Sequence, residues 1–203
     1  TENECSTIGT ELVHALTRAI MGPAPEPALW EVDANLRPEG KDGPLVRTVE
    51  SYVQYYKRWA ENWEFQALLK ARPIAGSAQL GARYARAIDP FVWESAARES
   101  FVESVQAMRA RVTDNIPSHQ VDRQIKLGPG GLRDIEFTVQ LLQLVHGRTD
   151  PAVRTKSTVD SLASLTAVSY ISRTDAEAFS RDYKKLRVLE HRIQLRRLRR
   201  SHL

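Results

Sequence analysis

The sequence predicts a mainly α protein with a smaller mixed α+β portion near its start. Three observations predict it. Apolar residues recur at three- and four-residue spacing from Val49 almost to the end, which marks helices. One short stretch, Leu29 to Leu36, alternates with period two, which marks a strand. Clusters of proline and glycine cut the chain into pieces of ordinary helix length.

The elements follow in order. Thr10 to Ile20 reads as a helix with Leu12, Ala15, Leu16 and Ala19 on one side. The run Gly22-Pro23-Ala24-Pro25-Glu26-Pro27 ends it. In the strand pattern Trp30, Val32, Ala34 and Leu36 point one way and Glu31, Asp33 and Asn35 the other. Pro38 to Pro44 is turn chemistry, and Leu45 to Thr48 returns as a second strand of a hairpin. From Val49 the period becomes helical. Tyr52, Tyr55, Tyr56, Trp59 and Trp63 form an aromatic stripe, read as core packing against the sheet rather than as a base-stacking platform.

Arg72 to Ser77 and Ile88-Asp89-Pro90 break the pattern, with a helix between them. Ser95 to Asn115 reads as one long helix with Phe101, Val102, Val105, Met108 and Val112 inward. Asp114 to Asp122 reads as a loop. Leu132 to His146 carries apolar residues around most of its circumference and so predicts a central, buried helix. Ser157 to Val168 is another. Thr174-Asp175-Ala176-Glu177 is a capping-box pattern that opens a last helix, with Phe179, Tyr183, Leu186, Leu189 and Ile193 inward. The composition shift divides the chain into residues 1–94, mixed, and 95–203, all helical.

Composition narrows the classes. The chain has 203 residues, 42% of them apolar and 27% charged, which suits a water-soluble protein with a real core. No apolar run is long enough to span a bilayer and no signal peptide opens the chain, so no membrane partner is expected. The single Cys5 has no internal partner, which points to a reducing cytoplasm. Net charge is +4, with the excess at the arginine-rich C-terminal end. Without interleaved aromatics that tail reads as a solvated helix face, and no nucleic-acid partner is expected. The five histidines lack the spacing of a zinc site.

Two segments offer chemistry. The alternation puts Glu31, Asp33, Asn35 and Arg37 on one strand face, where carboxylates beside a cation hold Mg²⁺ and the phosphates it carries. The same alternation also describes the solvated face of any half-buried sheet. Gly128-Pro129-Gly130-Gly131 runs straight into a helix whose first residues are Leu132, Arg133 and Asp134. Such a start offers free N–H groups to an anion, or uses its glycines for close packing; the two readings are evenly matched. It is no Walker loop, because no Gly-Lys-Ser/Thr follows.

Together, Val32 to Val46 with its Asp-Ala-Asn-Leu-Arg-Pro core, Trp63-Glu64-Phe65-Gln66-Ala67-Leu68-Leu69-Lys70-Ala71-Arg72-Pro73, and Ile125 to Val139 resemble the bifunctional glutamine synthetase adenylyltransferase/adenylyl-removing enzymes. The resemblance covers Trp30 to Arg197. It implies that residues 1–94 are the C-terminal part of a polymerase-β-like nucleotidyltransferase domain and that 95–203 are the helical domain behind it. Arg133-Asp134-Ile135-Glu136-Phe137 looks more like the N-terminal half of the family, in which phosphate attacks an adenylyl-tyrosine on glutamine synthetase and releases ADP. The alternatives are the ATP-dependent adenylyl-transferring half and a helical docking module for glutamine synthetase.

By resemblance, Asp33 is the third metal-binding carboxylate of the nucleotidyltransferase triad, and so both catalytic and a metal ligand. Arg37 matches the second arginine of the family's Asp-x-Arg-Leu-Arg-Pro motif; Asn35 replaces the first. Lys70 and Arg72 match a basic pair that faces the nucleotide or supports the sheet. Gly130, Gly131 and Arg133 belong to the second motif and join Arg37, Lys70 and Arg72 as the expected nucleotide- and phosphate-binding set. The family implies Mg²⁺ or Mn²⁺, ATP or ADP, phosphate, glutamine synthetase as partner and a PII-type signal protein as regulator. Its Gly-Ser turn and Asp-x-Asp pair are expected before Thr1, so this polypeptide alone is expected to be inactive.

Overall fold

The computed structural model describes residues 2–22 and 31–197. Its α-helices are α1 (Glu2–Met21), α2 (Val49–Arg58), α3 (Asn62–Leu68), α4 (Ala78–Glu94), α5 (Phe101–Asp114), α6 (Leu132–Gly147), α7 (Thr158–Ala167) and α8 (Arg173–Arg197), with short 3₁₀ turns between several of them. The protein is mainly α, and among the described residues there is no strand. None of these helices is long and apolar enough to cross a membrane. The chain forms two compact units. Residues 1–60 and 73–88 make the first; 61–72 and 89–203 make the second. Lys70 and Arg72, on the segment that follows α3, therefore go with the later helices rather than with the chain before them.

In the first unit the expected hairpin is replaced by a compact loop. Leu29 and Trp30 lie outside the described residues, and 31–34 are irregular. Local side chains take the backbone groups a strand ladder would use. The Asn35 N–H donates to the Asp33 carboxylate at 2.9 Å, and the Arg37 guanidinium donates to the Ala34 carbonyl at 2.7 Å. Val32 and Ala34 are half-buried and Glu31, Asp33 and Asn35 exposed, but Leu36, expected on the inner face, is 71% exposed, so the alternation belongs to a loop and stops before its end.

Helix α1 starts earlier than the sequence predicts and faces the other way. Leu12 and Leu16 are more than half exposed, while Val13, Thr17 and Ile20 are the half-buried side. Gly9 sets that orientation: a Cβ there would meet Val46 Cγ1 at 2.8 Å. The aromatic stripe packs as a core, but against a helix instead of a sheet. Tyr52 stacks on Tyr56 with centroids 6.1 Å apart and meets Tyr84 of α4 edge-on at 5.1 Å. Trp59 departs from the stripe and is 73% exposed.

Burial pushes the Tyr84 phenol up to about 12 from its ordinary 10, helped by neighbouring Tyr52. The folded form holds this proton longer than the unfolded chain does. The contribution is complete below pH 10 and is lost as pH rises through about 12. Burial also raises Tyr52 and Tyr183, so an alkaline titration followed at the phenolate absorbance is expected to show a late phase in the wild type whose latest part, the amplitude of one tyrosine, is lost in Tyr84→Phe. An unchanged late phase in the variant would exclude Tyr84 as its source.

The predicted break at Pro90 is absent, and α4 runs through it to Glu94. The break comes later, after a 3₁₀ turn at Ser95–Ala97, where Ser100 adopts a left-handed φ of 51° and divides the predicted long helix. The predicted loop near 114–122 contains a 3₁₀ turn at Ser118–Arg123. Helix α6 is central to the second unit as its pattern predicts: Val139 and Leu144 are wholly buried. Val139, with Ile135, Val153, Leu162, Leu165 and Ala176, ties α6, α7 and α8 into one core. The cap of α8 lies two residues earlier than the sequence pattern places it. Ser172 accepts from the Asp175 N–H and donates to its carboxylate. Leu189, predicted inward, is 47% exposed.

Candidate functional site

Two sets of residues carry the candidate chemistry, one in each unit. In the first unit the loop from Ala34 to Gly43 is built around Arg37. Its Nε donates to the Gly43 carbonyl at 2.9 Å, and its two terminal nitrogens donate to the Ala34 and Lys41 carbonyls. One side chain closes the loop three times, so Arg37 orders this segment from within. Gly43 must be glycine, because a Cβ there would stand 2.0 Å from the Pro38 carbonyl. Glu39 is held at a φ of 63°, with its carboxylate on Arg47 and its N–H towards the Tyr55 hydroxyl. A non-glycine residue in that region persists only when its surroundings over-determine it. Asp33 stands exposed at the entrance of this rigid loop.

In the second unit the glycine turn is closed. Gly128 N–H donates to the Gln124 carbonyl, Gly131 to Gly128, Leu132 to Ile125, Arg133 to Lys126 and Asp134 to Gly131, at 2.8–3.1 Å. Gly130, at a φ of +71°, donates to the Asp134 carboxylate at 2.6 Å. Each N–H between Gly128 and Asp134 is thereby used inside the chain. The backbone nest that the sequence allows is filled, and the glycines serve close packing: a Cβ on Gly128 would meet the Gln124 carbonyl at 2.6 Å. Arg109 of α5, which the sequence reading passes over, locks the turn by donating to Asp134, Thr113 and the Gly128 carbonyl. Its position on a helix face otherwise read for its apolar residues gave no signal.

Lys70 and Glu136 come from motifs far apart in sequence and meet here. Gln66 of α3 donates to Gln140 of α6 at 2.8 Å, which fixes α3 beside α6. Lys70 then donates to the Lys156 carbonyl at 2.6 Å and to the Thr158 hydroxyl at 3.2 Å. Burial lowers its pKa, and the nearby Glu136 carboxylate partly offsets that. Glu136 itself accepts from the Tyr183 hydroxyl of α8 at 3.1 Å. Arg72 is exposed, and Arg133 lies over the Phe137 ring at 5.5 Å. Lys126 and Arg187 both pair with Glu190, whose side chain is 2% exposed.

The fit to a metal ion is incomplete. No group of three His, Cys, Asp or Glu able to hold an ion occurs among the described residues. Asp33 is a single candidate ligand, and these residues do not make up a metal centre by themselves.

Comparison with known proteins accounts for both halves of the chain. The profile of the glutamate-ammonia ligase adenylyltransferase family matches residues 2–87, and that of PII-uridylyltransferase matches residues 106–203. With the helical fold, these define the class: a nucleotidyltransferase-related protein. Three curated relatives share one name, bifunctional glutamine synthetase adenylyltransferase/adenylyl-removing enzyme. The one from Leifsonia xyli subsp. xyli is 64% identical over 97% of this chain, and the one from Streptomyces coelicolor 56% over 100%. The one from Mycobacterium tuberculosis is 58% identical over 87%. The chain belongs to this family of bifunctional enzymes, and it spans about a fifth of the length of these relatives.

Proposed function

We propose that the chain is part of the adenylyl-removing half of an enzyme that controls glutamine synthetase, and so nitrogen assimilation. Phosphate would attack the adenylyl phosphorus in line. The bond to the tyrosine oxygen would break, and ADP and a free tyrosine would leave. The observation that carries this reading is the high identity across the whole chain to relatives named for both activities. Arg133 before Asp134 favours the removing half over the transferring one.

Asp33 is then the catalytic carboxylate contributed by these residues and one ligand of a shared Mg²⁺ or Mn²⁺, with further ligands from elsewhere in the enzyme. Arg37 shapes the loop that presents it. Lys70, Arg72 and Arg133 face nucleotide or phosphate as side chains, and Gly130 and Gly131 set the turn between Lys126 and Arg133. Positioning and charge neutralisation would supply most of the barrier reduction. Glutamine synthetase is the protein partner, a PII-type signal protein the regulator, and the cytoplasm the compartment. Alone, this polypeptide is expected to be inert.

One observation weighs against a pure docking role. Residues 106–203 match a family named for uridylyl transfer, while 2–87 match one named for adenylyl transfer. The names differ in nucleotide and in target protein. What they share is nucleotidyl chemistry, which favours a part in that chemistry for the helical segment over docking alone.

The test is Asp33→Asn in the full-length enzyme. Release of ADP from adenylylated glutamine synthetase and phosphate is expected to be abolished while binding of glutamine synthetase persists. Retained ADP release would remove Asp33 from the site. Release of ADP by the 203-residue chain alone would overturn its expected inertness.

A further inference from the structure

Helices α6 and α8 run antiparallel where they meet. Tyr183 reaches Glu136, and seven residues later on α8 Glu190 reaches Lys126, ten residues earlier in the chain than Glu136. Arg187 lies about one turn past Tyr183, and Arg133 nearly one turn before Glu136, so the two arginines stand at about the same level. Lys126, Arg133 and Arg187 thus share one seam, with Lys70 near its Glu136 end. Four cations face two carboxylates, Glu136 and Glu190.

The pairing within the seam is incomplete. Arg133 Nε is shut off from solvent and has no acceptor. A buried cationic donor without a partner is costly and seldom left so. Lys126 lies 3.4 Å from Glu190 Oε1, long for a charge-assisted hydrogen bond, so that buried oxygen lacks a close donor and the Lys126 ammonium keeps donors for a further ligand. The backbone N–H groups of the adjoining turn are all used, so any ligand here is held by side chains.

We propose that Lys126, Arg133 and Arg187 form an oxyanion seat for phosphate, either inorganic phosphate or the terminal phosphate of a nucleotide. Buried Glu190 is its positioning residue, holding Lys126 and Arg187 from below. The ligand class rests on the nucleotidyl reading above; the seat itself rests on the charge surplus and the orphaned Arg133 donor. It assigns roles to Lys126 and Arg187, which the resemblance leaves without one.

The experiment is calorimetric titration of the 203-residue chain with sodium phosphate, against sodium chloride of equal ionic strength, and separately with ADP. Saturable phosphate binding is expected, weakened about tenfold or more in Arg133→Gln. Because Arg187→Gln exposes the buried Glu190 charge, the double variant Arg187→Gln/Glu190→Gln is the safer second probe and is expected to weaken binding as well. Arg181→Gln, which removes an exposed α8 cation paired with Asp182, is expected to bind like the wild type. Competition between ADP and phosphate would show that one seat takes both free phosphate and the terminal phosphate of ADP, as phosphorolysis requires; simultaneous binding would restrict the seat to free phosphate. No saturable binding above chloride, or unchanged affinity in Arg133→Gln, overturns the seat. Phosphate binding through Arg133 in a full-length enzyme that releases no ADP from adenylylated glutamine synthetase would keep the seat and sink the phosphorolytic reading.

Discussion

Leu165→Ala is expected to destabilise the second unit by roughly 2–5 kcal/mol, the largest effect of any single truncation considered. Leu165 is wholly buried in the last turn of α7, in the core shared with α6 and α8. Removing its branched end forfeits transfer free energy and leaves a cavity that neighbours on three helices cannot easily fill. The midpoint of thermal unfolding should fall by on the order of 10 °C. Circular dichroism with urea titration measures it, and a loss below about 1 kcal/mol would show that this core collapses around the gap. The phosphate seat should weaken near the new midpoint, because α8 carries Arg187 and Glu190.

Gly131→Ala is expected to be the second most damaging change, costing about 1–3 kcal/mol or more. Its φ of −79° is ordinary, so the penalty is steric. A Cβ would stand 2.7 Å from the Ile125 carbonyl and 2.9 Å from that of Gly128, both backbone atoms already accepting hydrogen bonds. Relief would have to pull apart the Leu132–Ile125 and Arg133–Lys126 pairings, the very ones that fix Lys126 beside Arg133. Gly130→Ala is the contrasting control. Space around it is open, and only its positive φ resists, at about 1–2 kcal/mol. Equal losses in the two variants, or a greater loss at Gly130, would refute the packing role given to Gly131.

Much of this was legible in the sequence where local pattern and tertiary demand agree. The α6 pattern, apolar nearly all round, predicts burial, and Val139 and Leu144 are buried completely. The pattern misleads where a side chain competes for backbone groups. Residues 31–37 alternate like a strand, yet Asp33 and Arg37 bind the nearby main chain and no strand forms. Apolar spacing in α1 gives a face but not its direction; contact between Gly9 and Val46 decides that. The same limit applies to the candidate site. Asp33, Lys70 and Arg133 can be picked out by resemblance, but Arg109, Arg187 and Glu190 carry no motif.

The sequence by itself determined the family, the dominance of helix and the identity of the residues that bear charge, because these depend on residue type and short-range spacing. Only the tertiary structure decided what those residues touch. It closed the glycine turn on its own carbonyls, brought Lys70 to Glu136, and set Lys126, Arg133 and Arg187 along one seam. Such meetings depend on which helices pack together and in which direction, and that is fixed by the shared burial of α6, α7 and α8, not by any stretch of chain read alone.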